Sequence, residues 1–200
     1  MEMDFDLEGV IRGARVVFLA GPPGAGKDTL ARKLQVAFPD DVMVAKMTGL
    51  LDAMTMPLFP SEVAFRLYRE TLKEQSCPWL GGVTLRRWYQ DLSEDFVKPR
   101  LGPEGFGLAC LARVKPWLDA GKTVVISDSG FLPEAMPFIR EMGARACLQV
   151  RIHRAGSTFD GDTRSWWAYP GLRIREVING WPGDHSWAVV PGSERIAMAA

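Results

Sequence analysis

Histidine is almost missing from this 200-residue chain, which has only His153 and His185, and cysteine occurs three times, at Cys77, Cys110 and Cys147, with no C-x-x-C spacing. That scarcity argues against a zinc cluster or a disulfide framework and fits a reducing, cytoplasmic setting. Excess charge of one sign is also lacking, since Lys+Arg and Asp+Glu are 24 each. Such a balance speaks against coating nucleic acid or an anionic membrane. No apolar run approaches a membrane span, and the opening MEMDFDLEGV is acidic rather than signal-like. There is no internal repeat and no low-complexity linker. What is present, 47% hydrophobic and 24% charged residues, suits one soluble domain with a real core.

The run Ala14 to Ala20, ARVVFLA, reads as a buried strand and leads straight into GPPGAGKDT, Gly21 to Thr29. Leu30, Leu34 and Ala37/Phe38 then recur at helical spacing until Pro39. A second strand is predicted over Val42 to Met47, and mostly helical pieces over 48–100. A helix follows over Gly105 to Leu118, its last turn disturbed by Pro116. Further strands are predicted at Lys122 to Ser127, Ala144 to Ile152 and Leu172 to Ile178, with a helix over Glu134 to Met142. Residues 152–171, rich in Gly, Arg, Asp and Trp, read as a loop or lid. The tail, with Pro182, Gly183, Pro191 and Gly192, supports no long helix. Strands alternating with helices predict an α/β fold with a mostly parallel five-stranded sheet covered on both faces. The 48–100 stretch exceeds a simple crossover and reads as an inserted acceptor-binding region.

Strand, glycine-rich turn and helix form a phosphate-binding arrangement. Gly21, Gly24 and Gly26, with Ala25 between the last two, let the backbone turn tightly enough for several N–H groups to face one anion. The helix N-terminus adds its dipole, and Lys27 reaches the β- and γ-phosphates. Asp28 stands where the strict G-x-x-x-x-G-K-[ST] pattern has Ser or Thr, and Thr29 follows one place later. GPPGAGKDT is similar to the GxPGAGKGT loop of adenylate kinases, and its GKD[ST] form resembles phage-type deoxynucleoside monophosphate kinases, with phosphomevalonate kinases as another user. The resemblance implies a P-loop NTPase fold in three α/β/α layers and the binding of ATP with Mg²⁺. It makes Thr29 a holder of the ion. Asp28 is read two ways, as reaching the ion's hydration shell or as complementing the helix N-terminal charge.

Asp128 ends the KTVVIS strand, where P-loop enzymes place an acid that orients Mg²⁺ or the acceptor. SDSGFLPEA resembles the D-x-R-F-x-x-E signature of the phage-type kinases through Asp128, Phe131 and Glu134, while Gly130 replaces the arginine. TLRRWYQDLSE resembles the T-P-R-E-[LM]-x-Q helix of that family through Arg86 and Gln90, with Leu85 for proline. Those two residues share a helix face and suit a phosphate and a base edge. Arg69 is a further acceptor candidate.

Arg151, Arg154, Arg164, Arg173 and Arg175 crowd the region after the fourth strand, and RIHRAGSTFDGDTRSW resembles the lid of the same family. Arg151, Arg154 and Arg164 are the catalytic candidates, Asp162 orienting one of them, because phosphoryl transfer is catalysed chiefly by positioning and cationic stabilisation. Trp166 and Trp167 read as a lid hinge or core plug ahead of a surface on which a base stacks, and His153 as a bystander. Together these features predict an ATP-dependent (deoxy)nucleoside monophosphate kinase. Its partners would be small-molecule nucleotides rather than nucleic acid or membrane, with a homodimer left open. The alternatives are a kinase with a non-nucleotide phosphorylated acceptor, an ATP-driven switch or motor, and a nucleotide-binding protein without transferase activity.

Overall fold

The computed structural model describes residues 5–180 and 186–198. The chain divides into two compact units, residues 1–47 with 107–200, and residues 48–106. In the larger unit, α1 (Leu7–Ile11) is followed by β1 (Val16–Ala20), whose five residues are all buried, as a strand covered on both faces requires. Next come α2 (Lys27–Ala37) and β2 (Val42–Ala45). The smaller unit carries α3 (Gly49–Thr55), α4 (Glu62–Glu70), α5 (Leu85–Asp91) and α6 (Lys98–Leu101), with a π-helical turn over Leu92–Val97. The chain then returns through α7 (Gly105–Asp119), β3 (Thr123–Ile126), α8 (Leu132–Met142), β4 (Cys147–Arg154) and β5 (Arg173–Asn179). It closes with β6 (Trp187–Val189) and β7 (Arg195–Ile196).

The sheet runs β2-β3-β1-β4-β5 with every neighbouring pair parallel, and β6 and β7 both join β5 antiparallel. The five expected strands are there; the two added by the tail correct the expected strand count. They are too short for alternation to show in the sequence. Side chains of β1 part to opposite faces. Val17 and Leu19 join Leu30, Ala31 and Leu34 of α2 in one apolar cluster. Phe18 faces the other way, with ring centroids 5.8 Å from Phe138 of α8 and 5.5 Å from Trp167. Helices therefore cover both faces of a mixed, mostly parallel α/β sheet. Beside α8, α7 comes close because Gly107 has no side chain; a Cβ there would lie 2.0 Å from the Glu134 carbonyl oxygen. The helix runs through Pro116 to Asp119, its end tied off by the bonds from Ala120 N to Pro116 O and from Lys122 N to Trp117 O.

One strand boundary moves a charged residue, Arg154. The fourth strand extends to Arg154, so Arg151 and Arg154 stand on β4, and the irregular segment is 155–172 rather than 152–171. Arg173 and Arg175 belong to β5 and point at α1. Arg173 donates to Arg12 O at 2.7 Å and Gly13 O at 2.9 Å, and Arg175 donates to Gly9 O and, at 2.6 Å, to Val10 O. Glu194 accepts from both guanidiniums. These arginines satisfy the orphan carbonyls at the end of α1, so they fasten a helix instead of covering phosphates.

The smaller unit is helical, as expected of 48–100, and extends to residue 106. Its core gathers Phe59, Phe65, Cys77, Leu80 and Leu85, with Tyr68, Trp88 and Tyr89 packed on them. Ser61 caps α4 by accepting from Ala64 N at 3.1 Å, and Thr84 caps α5 through Arg87 N at the same distance. Among the described residues no helix is long and apolar enough to cross a membrane.

Candidate functional site

The turn between β1 and α2 is held by its carbonyls. Lys27 Nζ donates to Gly21 O at 2.7 Å and Pro22 O at 2.8 Å, Arg154 Nη1 to Gly24 O at 3.0 Å, and Asn179 Nδ2 to Ala25 O at 2.9 Å. Carbonyl and N–H point oppositely across each planar peptide. With the Ala25 carbonyl turned to Asn179, the Gly26 N–H faces away from it, toward the start of α2. Pro22 and Pro23 have no N–H, so the donors begin at Gly24. Gly26 is the helix N-cap at φ 100°, and no side chain caps α2. A Cβ there would lie 2.5 Å from Asn179 Nδ2, so both conformation and space demand glycine. Asn179, at the end of β5, went unnoticed in the sequence because it lies 154 residues from its partner.

Burial, then the charge of Arg164, lowers the Lys27 pKa from 10.5 to about 8, against the opposing pull of Asp28, Asp162 and Asp128. An ammonium strained in this way gains most from an incoming anion. Asp28 forms an ion pair with Lys46 at 2.9 Å and accepts from Ser127 Oγ at 2.8 Å. That carboxylate ties α2 to the C-terminal ends of β2 and β3, beyond its helix-end complementarity. Neither Lys46 nor Ser127 carries a motif; strand-end position is the signal that could have found them. Asp128 accepts from Met47 N at 2.7 Å and fixes the chain leaving β2. Thr29 is exposed on the first turn of α2. Among the described residues no three or more His, Cys, Asp or Glu side chains form a metal cage. Thr29, Asp28 and Asp128 each carry oxygen donors, the hard type that Mg²⁺ takes.

Phe131 precedes α8 and Glu134 is buried in its first turn. Together with Asp128, Glu134 supports the charge of Arg164, whose main partner is Asp162. Arg164 donates to Asp162 through Nε at 2.8 Å and Nη2 at 2.5 Å, and its own N–H completes the grip at 2.9 Å. Arg151 takes a different course. It donates to Gln149 Oε1 and to Trp167 O, both at 2.7 Å, and so anchors segment 155–172 to the sheet. Trp167 is a core plug against Phe18, whereas Trp166 lines a cavity of about 450 Å³ with Pro22, His153, Arg154, Ser157 and Phe159. His153 lies in that wall and pairs with Glu176.

Arg164 holds Asp162 at a pKa of about 2, below 3.8, mainly by hydrogen bonding. With the folded value depressed, the pair's stabilisation is complete above pH 3.8 and disappears as the pH falls through about 2. Asp162→Asn is therefore expected to lower the unfolding midpoint at pH 7, with the gap to wild type closing toward pH 2.5. Urea titrations across that range check it.

In the smaller unit, Arg86 is exposed and paired with Glu74, and Gln90 is exposed one turn further along α5. The half-buried polar cluster lies elsewhere. Asp52 accepts from Arg69 Nε at 2.8 Å and from the Tyr89 hydroxyl at 2.5 Å. Burial and the bond to Asp52 raise the Tyr89 pKa above its usual range. Arg69, ranked behind Arg86 on sequence, is thus the built-in guanidinium of this unit. Asp52 and Tyr89, separated by 37 residues, carried no signal. Compared with models of known families and with curated proteins, the chain matches none.

Proposed function

We propose that this protein is a P-loop phosphotransferase that moves the γ-phosphoryl group of ATP to the phosphate of a small acceptor, a (deoxy)nucleoside monophosphate being the favoured class. The observation that carries this reading is the convergence of Lys27, Arg154 and Arg164 around a side-chain-free helix start at Gly26. Backbone N–H groups, a helix dipole and a strained ammonium together suit a triphosphate. The aromatic-walled cavity sharing Pro22 and Arg154 with the turn suits the donor's base.

In this reading Lys27 leaves the Gly21 and Pro22 carbonyls for phosphate oxygens, and Arg164 neutralises charge on the transferred group. An acceptor phosphate oxygen attacks the γ-phosphorus, the bond to the β,γ-bridging oxygen breaks, and ADP departs. The acceptor is already ionised near neutral pH, so no general base is required. When bound, Mg²⁺ would supply charge neutralisation of the phosphates, held by Thr29 with Asp28 and Asp128.

One observation favours a second acceptor class. Arg86, the phosphate candidate beside the base-reading candidate Gln90, is engaged by Glu74, which weakens the nucleotide reading of α5. A non-nucleotide phosphorylated alcohol would need only a guanidinium such as Arg69. The test measures ADP release from Mg·ATP with each (d)NMP and with small phosphorylated alcohols. Acceptor-dependent turnover is expected; acceptor-independent hydrolysis, or binding without turnover, would overturn the transferase reading.

A further inference from the structure

Gly130 lies in the turn between β3 and α8, two residues after Asp128. Its backbone is outside the left-handed region, so conformation does not demand glycine. Space does. A Cβ built at 130 would stand 2.5 Å from Arg164 Cδ and 2.9 Å from Cγ. The aliphatic stem of Arg164 thus lies directly on the Gly130 backbone. Beyond that stem, the guanidinium is clamped by Asp162 and is near enough to Lys27, Asp128 and Glu134 for their charges to register on one another.

We infer that Gly130 is the positioning residue for Arg164: the missing side chain is a slot that admits the arginine stem and brings its guanidinium beside Lys27. The inference rests on the phosphotransfer reading for its functional meaning, but the steric claim stands separately. Any side chain at 130 competes with the arginine stem for the same volume. The clashing atoms belong to a flexible side chain, so even a methyl group displaces Arg164 without breaking the fold.

The experiment compares wild type, Gly130→Ala, Arg164→Ala and the double variant, each first shown to unfold in one cooperative transition well above the assay temperature. One arm needs no ligand: the rate of tryptic cleavage at the Arg164–Ser165 bond, followed by mass spectrometry. Gly130→Ala is expected to be cut there at least about fivefold faster, with cleavage after Arg145 unchanged. The second arm is calorimetric binding of inorganic tripolyphosphate. Gly130→Ala is expected to weaken it about tenfold, nearly as much as Arg164→Ala, and to add less than about twofold when Arg164 is already gone. Unchanged cleavage, or independent effects that multiply in the double variant, would overturn the inference. If the wild type binds no tripolyphosphate, the phosphotransfer reading falls, and the cleavage arm alone decides whether Gly130 positions Arg164.

Discussion

Lys27→Met is expected to lower acceptor-dependent phosphoryl transfer by about 100- to 1000-fold or more, the scale on which a single preorganised donor to a developing charge is felt. The same variant is expected to fold more stably at pH 7. Burial and Arg164 depress the lysine from 10.5 to about 8, so folding at neutral pH must hold an ammonium the surroundings disfavour. The cost is complete below about pH 8 and relieved as the pH rises toward 10.5, because the unfolded chain alone retains the proton across that window. Wild-type stability should therefore climb between those values, while that of the methionine variant should lack this rise. Steady-state kinetics and thermal melts at pH 7 and pH 9.5 test both halves. Near-normal turnover would remove Lys27 from the chemistry, and a lower melting point at pH 7 would contradict the strained ammonium. A site that weakens the fold where it strengthens function is a familiar compromise.

Phe18→Ala should produce the largest loss of stability, roughly 3–5 kcal/mol, lowering the melting temperature by about 10 °C. Phe18 is fully buried on the central strand and meets Phe138 and Trp167 edge-on at 5.8 and 5.5 Å. Its removal opens a cavity between the sheet and α8 that neither ring can close without leaving its own packing. Trp167 is also where Arg151 fastens segment 155–172, so the variant should lose order in that segment before it unfolds. Hydrogen exchange across 155–172 and global melts separate the two effects. A melting temperature within about 3 °C of wild type would mean the core had repacked around the gap.

The parts of the molecule written in adjacent residues could be read directly. Val16–Ala20 running into Gly21 and Lys27 declares strand, turn and helix within a dozen positions, because hydrophobicity, glycine and lysine all act locally there. That the sheet is mostly parallel followed from the alternation of helix and strand. Contacts between distant residues were another matter. Nothing near Asp28 announces Lys46 and Ser127, and nothing near Gly130 announces the stem of Arg164. Arg173 and Arg175 fall on a strand legible in the sequence, yet nothing near them announces the carbonyls of α1 that they bind. Arg86 shows the limit from the other side: a motif position fixed its helix but not its partner, Glu74.

The staple formed by Arg173, Arg175 and Glu194 sets an order on biosynthesis. α1 is made before its partners: its final carbonyls wait for arginines 160 or more residues later and for the Glu194 carboxylate. β1 likewise waits for both of its neighbours. A nascent chain stalled before residue 194 would hold two guanidiniums without their counter-charge, so the native topology becomes secure only once that residue has been made.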